Sequence, residues 1–139
     1  MQLRAYEDRN QNQLIDLWRT CGLIAPVNDP YRDIERKKKV NPEWFLVGTI
    51  DDTIMASCMF GYNGHRAEIN YLAVHPDHQG KGYAKDMMLH TERLLLEVGC
   101  PKINIMIRNT NLKVKAFYES LGYVDNGCLS LGKRLIDDE

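Results

Sequence analysis

The stretch that decides the reading is "VHPDHQGKGYA", residues 74–84. An apolar run, "INYLAV", leads into it and an amphipathic run, "MMLHTERLLLEVG", leads out, so the chain turns here from a strand into a helix. An ordinary corner needs fewer special residues. A helix N-terminus exposes N–H groups that lack intrahelical partners, and their partial positive charge attracts anions. Gly80 and Gly82 remove side chains that would hold a phosphate off the backbone. Lys81 adds a full charge and Gln79 a neutral donor, while Pro76 keeps His75 extended so that the strand holds its line. The corner is built like a cradle for a pyrophosphate.

Three phosphate-binding patterns can be set against it. The P-loop spacing GxxxxGK[ST] fails. The dinucleotide fingerprint GxGxxG finds its first pair in Gly80 and Gly82, but position 85 is lysine and no acidic residue follows at the end of a next strand. The third pattern, Gln/Arg-x-x-Gly-x-Gly/Ala, is the turn that binds the pyrophosphate of coenzyme A. Gln79, Gly82 and Ala84 match it in full.

Outward from the corner, "QLRAY" alternates as a short first strand. Leu14, Leu17, Trp18 and Cys21 lie on one helical face, stopped by Gly22. Asp29 suits an N-cap and Pro30 the first position of a second helix, with Lys37, Lys38 and Lys39 in its last turn. "WFLVGTI" and "TIMASCMFGY" read as strands joined at Asp51-Asp52, and "AEINYLAV" as the next, reached through Asn63-Gly64. The long helix ends at Gly99, with Pro101 beyond it. "KINIMI" reads as a strand, "NLKVKAFYESLG" as a short helix, and "YVDNGCLSLGKRL" as two last strands around Asn126-Gly127. The predicted order is β-α-α-β-β-β-α-β-α-β-β, a mixed α/β arrangement in one domain over residues 1–139.

A formal net charge of −1 offers no basic field for nucleic acid or anionic lipid. No apolar run is long enough for a bilayer, and "MQLRAYEDRN" is not a secretory signal. Cys21, Cys58, Cys100 and Cys128 stand apart without CxxC spacing, which argues against a zinc site and for reduced thiols in the cytoplasm. No metal, nucleic-acid partner or membrane partner is expected.

With the corner, "YLAVHPDHQGKGYA" and "NLKVKAFYESLGY" carry a resemblance. The second has an asparagine seven residues before a tyrosine, then Leu-Gly-aromatic. The chain resembles the GNAT superfamily of acyl-CoA N-acyltransferases, of the compact bacterial type, and "LGKRL" looks like its usual closing strand. The resemblance implies a central, mostly antiparallel twisted sheet of about seven strands with four helices, splayed between strands four and five. It implies acetyl-CoA as co-substrate and transfer of the acetyl group to a primary amine by direct attack in a ternary complex. The acceptor would be a small amine or a protein N-terminus, and the protein a monomer or homodimer. A non-catalytic acyl-CoA-binding or sensing domain is the alternative.

By the same resemblance, the main chain at Leu72, Ala73 and Val74 would hold the cofactor arm, with the Leu72 N–H facing the thioester oxygen. Gln79, Gly80, Lys81, Gly82, Tyr83, Ala84 and Lys85 would hold the pyrophosphate. Asn111 would contact the cofactor or cap its helix, and of Phe117 and Tyr118 one would pack while the other lines the cofactor. Tyr118 matches the tyrosine that protonates the departing sulfur. Glu68, six residues before Val74, matches a general base, with ordered water as the alternative. Plain alternation puts Glu68, Asn70, Leu72 and Val74 on one strand face. His65, His75, His78 and His90 are weaker candidates. The family's first two helices roof the acceptor site. In the corresponding segment here Asp29, Asp33 and Glu35 could receive a cationic amine and residues 36–39 would repel one, or the helix is simply capped and solvated.

Overall fold

A computed structural model describes residues 1–138. Its elements are β1 (Gln2–Ala5), α1 (Gln11–Thr20), α2 (Pro30–Lys38), β2 (Phe45–Ile50), β3 (Thr53–Tyr62), β4 (Ala67–Val74), α3 (Tyr83–Glu97), β5 (Ile103–Asn104) and α4 (Leu112–Ser120). Helices form where apolar spacing and caps agree. In α1, Leu14, Ile15, Leu17 and Trp18 are buried. At the start of α2, Asp29 accepts from the N–H of Tyr31 at 2.9 Å and of Arg32 at 3.4 Å, and Pro30 takes the first turn.

The strands lie in the order β1-β2-β3-β4-β5, antiparallel except for the parallel pair β4–β5. The β2–β3 hairpin turns on Asp51 (φ 51°) and Asp52 (φ 62°), which join Ile50 to Thr53. Two left-handed residues suit the right-handed twist of the flanking strands. On one face of the sheet α1 and α2 pack Leu14, Leu17, Trp18 and Ile34 against Phe45, Val47 and Met59. On the other, α3 and α4 pack Met87, Met88, Leu95 and Tyr118 against Met55, Cys58, Phe60 and Ile69.

Five strands form among the described residues, not the seven expected, and the difference lies at the C-terminal side of the sheet. "KINIMI" pairs only through Ile103 and Asn104, so β5 offers a two-residue template. Residues 123–135, read as two strands, form none. Their apolar side chains find no face to cover them: Leu129 and Leu131 are each 93% exposed. The segment keeps beside β5 through side chains instead. Asn126 bonds Asn104 and Lys102, each at 2.9 Å. A strand pattern without a partner edge does not make a strand.

Among the described residues Asn10, Lys37, Thr49, Ser57 and Thr91 are buried polar residues, and Lys37 brings a cation. Lys37 is buried, and its Nζ donates to the carbonyl of Phe60. Phe60 stands one residue past Met59, the last residue of β3 paired with β2, so the lysine serves where the ladder has ended. Burial pushes the Lys37 ammonium below its ordinary value. Lys37→Met keeps the stem and removes the donor. It should destabilise the protein by about 1–3 kcal/mol, read as a lower urea midpoint at unchanged slope.

Candidate active site

The site begins with a fault in β4. Ser57 pairs with Ala73 but Met59 pairs with Asn70, so Tyr71 and Leu72 together stand opposite Cys58. This is a β-bulge, and Tyr71 takes φ 51°, a left-handed conformation that a bulky residue adopts only when its surroundings impose it. The surroundings are specific. Ser57 Oγ donates to the Tyr71 carbonyl at 2.8 Å, and Trp18 Nε1 donates to Ser57 Oγ at 2.9 Å. The Trp18 indole stacks on the Tyr71 ring with centroids 3.9 Å apart. The Tyr71 hydroxyl donates to Asp33 Oδ2 at 2.6 Å. Burial, reinforced by Asp33, raises the Tyr71 phenol well above its ordinary range, so it stays a donor.

The bulge overturns the plain alternation expected for this strand. Ala67, Ile69, Leu72 and Val74 pack in the α3–α4 half, whereas Tyr71 and Ala73 pack in the α1–α2 half. Glu68 and Asn70, both exposed, therefore face the α1–α2 side and not the side of Leu72 and Val74.

Beyond the bulge β4 has an open edge. Its parallel pairing with β5 covers only Ala67↔Ile103 and Glu68↔Asn104, so residues 70–74 have no strand neighbour there among the described residues. His75 donates to Met55 of β3 at 2.8 Å, and alternation turns the main-chain groups of Val74 to the opposite, open edge. The Val74 carbonyl accepts from Gln79 Nε2 at 2.9 Å and from the Cys21 thiol at 3.4 Å. One N–H of the Gln79 amide thus ties the corner to the strand.

At the corner itself Gly80 (φ 77°) and Gly82 (φ 85°) are left-handed, and a Cβ at either would meet no heavy atom within 4 Å. The first main-chain bond of α3 runs from Asp86 to Gly82 at 3.0 Å. Among the described residues, the N–H groups of residues 80–85 have no hydrogen-bond partner. Lys81 and Lys85 are exposed beside them. Six amides around two open glycines at a helix N-terminus present unused donors of the kind that can receive an anion.

Tyr118 comes to this place from α4. Its ring lies in the same core cluster as Val74, with Leu72, Tyr83, Ala84 and Phe117 packed against it. Its hydroxyl has no hydrogen-bond partner among the described residues. Burial, with Cys58 nearby, pushes the phenol well above its ordinary range. Asn111 caps α4, its side chain accepting from the N–H of Val114 at 3.2 Å. Burial pushes the Cys58 thiol up to about 12, which leaves no thiolate nucleophile there. Glu68 lies at the far end of β4 from the corner. Among the described residues no group of three or more His, Cys, Asp and Glu side chains could hold a metal, and no helix is long and apolar enough to cross a membrane.

The set of Trp18, Ser57, Tyr71 and Asp33 was missed by sequence reasoning. One signal existed: Ser57 in "MASCMF" is a hydroxyl in an otherwise apolar strand, and a buried hydroxyl needs partners. Nothing in the spacing pointed to Tyr71.

The profile of the Acetyltransferase (GNAT) family matches residues 11–123. A protein of Yersinia pestis (strain Pestoides F) named an acetyltransferase is 45% identical over 139 residues, spanning 100% of this chain and 99% of that protein. An acetyltransferase of Pectobacterium atrosepticum is 44% identical over 138 residues, 99% of this chain and 98% of its own. The solved aminoglycoside 6'-N-acetyltransferase of Acinetobacter haemolyticus shares the fold at TM-score 0.75 and 15% identity, covering 99% of this chain and 100% of that one. Matched over its whole length by named acetyltransferases and over most of it by the family profile, the protein belongs to the GNAT family and is an acetyltransferase.

Proposed function

We propose that the protein transfers an acetyl group from acetyl-CoA to a primary amine by direct attack, with both substrates bound together. The observation that carries this reading is the row of unpartnered amides at residues 80–85, set at the open end of β4. Acetyl-CoA supplies an activated acyl group and a thiol leaving group. The chain supplies position and charge. Residues 79–85 hold the pyrophosphate, Lys81 and Lys85 adding charge to the backbone donors. The open edge at Leu72, Ala73 and Val74 holds the pantetheine arm, and the Leu72 N–H, carried outward by the bulge, receives the developing oxyanion. Phe117 and Asn111 line the cofactor from α4.

The acceptor enters on the α1–α2 side, toward which Glu68, Asn70 and Tyr71 face. Only a neutral amine attacks, and a free alkylamine has a pKa near about 10.4, so a proton must leave. Glu68 takes it, directly or through water. Tyr118 gives a proton to the departing sulfur. A phenol raised by burial stays protonated at neutral pH, which suits a donor and excludes a base. The acceptor is a small amine or a protein N-terminus.

Three measurements test these roles. Gly82→Asp puts a side chain at φ 85° and a carboxylate among the anion-binding amides; it should weaken coenzyme A binding by about 100-fold or more in calorimetry. Tyr118→Phe should lower kcat by about 10- to 100-fold with acetyl-CoA affinity nearly unchanged. A kcat within about twofold of wild type would make Tyr118 a packing residue. Ser57→Ala leaves Trp18 Nε1 and the Tyr71 carbonyl without their partner. It should cost about 1–3 kcal/mol in unfolding free energy and reduce kcat more than acetyl-CoA binding, because the bulge that aims the Leu72 N–H is loosened.

A further inference from the structure

The C-terminal segment passes from β5 to α2 with little of its apolar surface covered, Leu129, Leu131 and Leu135 all being exposed. Near its end, one carboxylate is covered by arginines that are themselves about half exposed. The Asp138 side chain is 1% exposed. Arg36 grips both its oxygens, Nη2 to Oδ1 at 2.8 Å and Nη1 to Oδ2 at 3.0 Å. This is the bidentate fork that matches a planar carboxylate. Arg32 Nη1 donates to Oδ1 at 3.5 Å, and the Asp29 N–H, at the start of α2, donates to Oδ2 at 3.4 Å. Arg134 of the same segment lies 3.9 Å from Oδ2 and also donates to Asn28. Arg36 holds the Asp138 carboxyl well below the usual carboxylate range. Polar contacts rather than apolar burial hold this segment, Asn126 beside β5 and the Asp138 carboxylate on α2 among them.

This carboxylate stands beside the chemistry. Arg36 also donates to Asp33 Oδ1 at 3.2 Å, and Asp33 Oδ2 takes the Tyr71 hydroxyl. Arg36, Asp33 and Tyr71 thus connect the held carboxylate to the bulge of β4, on the side that Glu68 and Asn70 face. The acidic side chains of α2 already have partners: Asp29 caps the helix, Asp33 is shared between Tyr71 and Arg36, and Glu35 pairs with Lys38 at 3.1 Å. What α2 presents here to a ligand is a guanidinium fork, which receives an anion.

We propose that Arg36, with Arg32, is a carboxylate-binding subsite of the acceptor cleft, that Asp138 fills it in the free protein, and that the acceptor is a small amine bearing a carboxylate which takes the place of Asp138. The inference rests on the acetyl-transfer reading of the cleft. Exchange of one carboxylate for another leaves the guanidinium paired before and after, so neither state strands a charge. The freed segment regains conformational entropy, which favours the exchange. An amine without a carboxylate has nothing to exchange for Asp138 at the fork, whereas a zwitterion offers the fork a carboxylate.

The test uses the full chain and two matched ligand series, the ω-amino acids from glycine to 6-aminohexanoate and the n-alkylamines of equal length. Each is titrated by calorimetry into wild type, Asp138→Asn and Arg36→Gln, with circular dichroism confirming the fold. One or more ω-amino acids should bind at least about tenfold more tightly than the matching alkylamine. Asp138→Asn should tighten that amino acid by a further factor of about ten, and Arg36→Gln should abolish the preference. Should Arg36→Gln not fold, Arg36→Lys keeps the charge without the fork and should blunt the preference. Equal binding of the two series to wild type and to Asp138→Asn overturns the proposal, as does a preference that survives loss of the fork. Free thiol released from acetyl-CoA with each amine is read in parallel. Turnover without carboxylate preference sinks the subsite and leaves acetyl transfer standing. No thiol release with any of these amines overturns the proposed acceptor and leaves acetyl transfer to another amine standing, whereas loss of coenzyme A binding sinks the transfer reading.

Discussion

At Tyr71 a bulky side chain sits on a left-handed backbone, and the use of β4 depends on its being kept there. Such a conformation costs about 1–3 kcal/mol. It is offset by contacts from three separate elements: an indole from α1, a hydroxyl from β3 and a carboxylate from α2. A one-residue slip turns every following side chain to the other face. Because the slip happens inside β4, the strand presents Ile69 and Val74 to the same core although they stand an odd number of positions apart. Removing the bulge would leave one of those two outside the α3–α4 layer. The core that holds α3 and the bend that opens β4 therefore stabilise each other.

The same coupling explains why the corner can leave its amides unpaired. A buried N–H without a partner is costly, but residues 80–82 and Lys85 are exposed and water can serve them. What must not move is the direction in which they point. That direction is set behind them, where Met87, Met88 and Leu95 of α3 are buried and Gln79 is tied to the Val74 carbonyl. A flexible, charged loop would bind phosphate more loosely, since each amide would have to be ordered on binding. Here the ordering is already done by packing.

The parts of this arrangement that were legible in the sequence are the local ones. Glycine at 80 and 82, the Asp29-Pro30 start of α2 and the Asp51-Asp52 turn each reveal a backbone state through the residue that best tolerates it. Tyr71 reveals nothing of the kind, because its conformation is imposed by Trp18, Ser57 and Asp33, far away in sequence. The two missing strands fail for a related reason. "YVDNGCLSLGKRL" has a strand-like alternation, but pairing needs an edge, and β5 ends after Asn104. Asn111 was read as cap or cofactor contact; its bond to Val114 establishes the cap, and a contact is compatible with it. Glu68 was found by spacing from Val74, yet spacing along a strand keeps its meaning only where no bulge intervenes.

Asp33 joins these features. One carboxylate cannot serve two donors with full strength in arbitrary positions, and its two oxygens are divided: Oδ2 to the Tyr71 phenol, Oδ1 to Arg36. Whatever occupies the Arg36 fork fixes where that guanidinium sits, and through Asp33 it bears on the phenol that helps to keep the bulge left-handed. With Asp138 seated in the fork, Arg36 Nη1 still donates to Asp33 Oδ1 at 3.2 Å, so one guanidinium is shared between the two carboxylates. The held carboxylate and the bulge of β4 are thus joined in one hydrogen-bonded network, from Asp138 through Arg36 and Asp33 to the Tyr71 phenol, and a change at either end is felt by the same carboxylate.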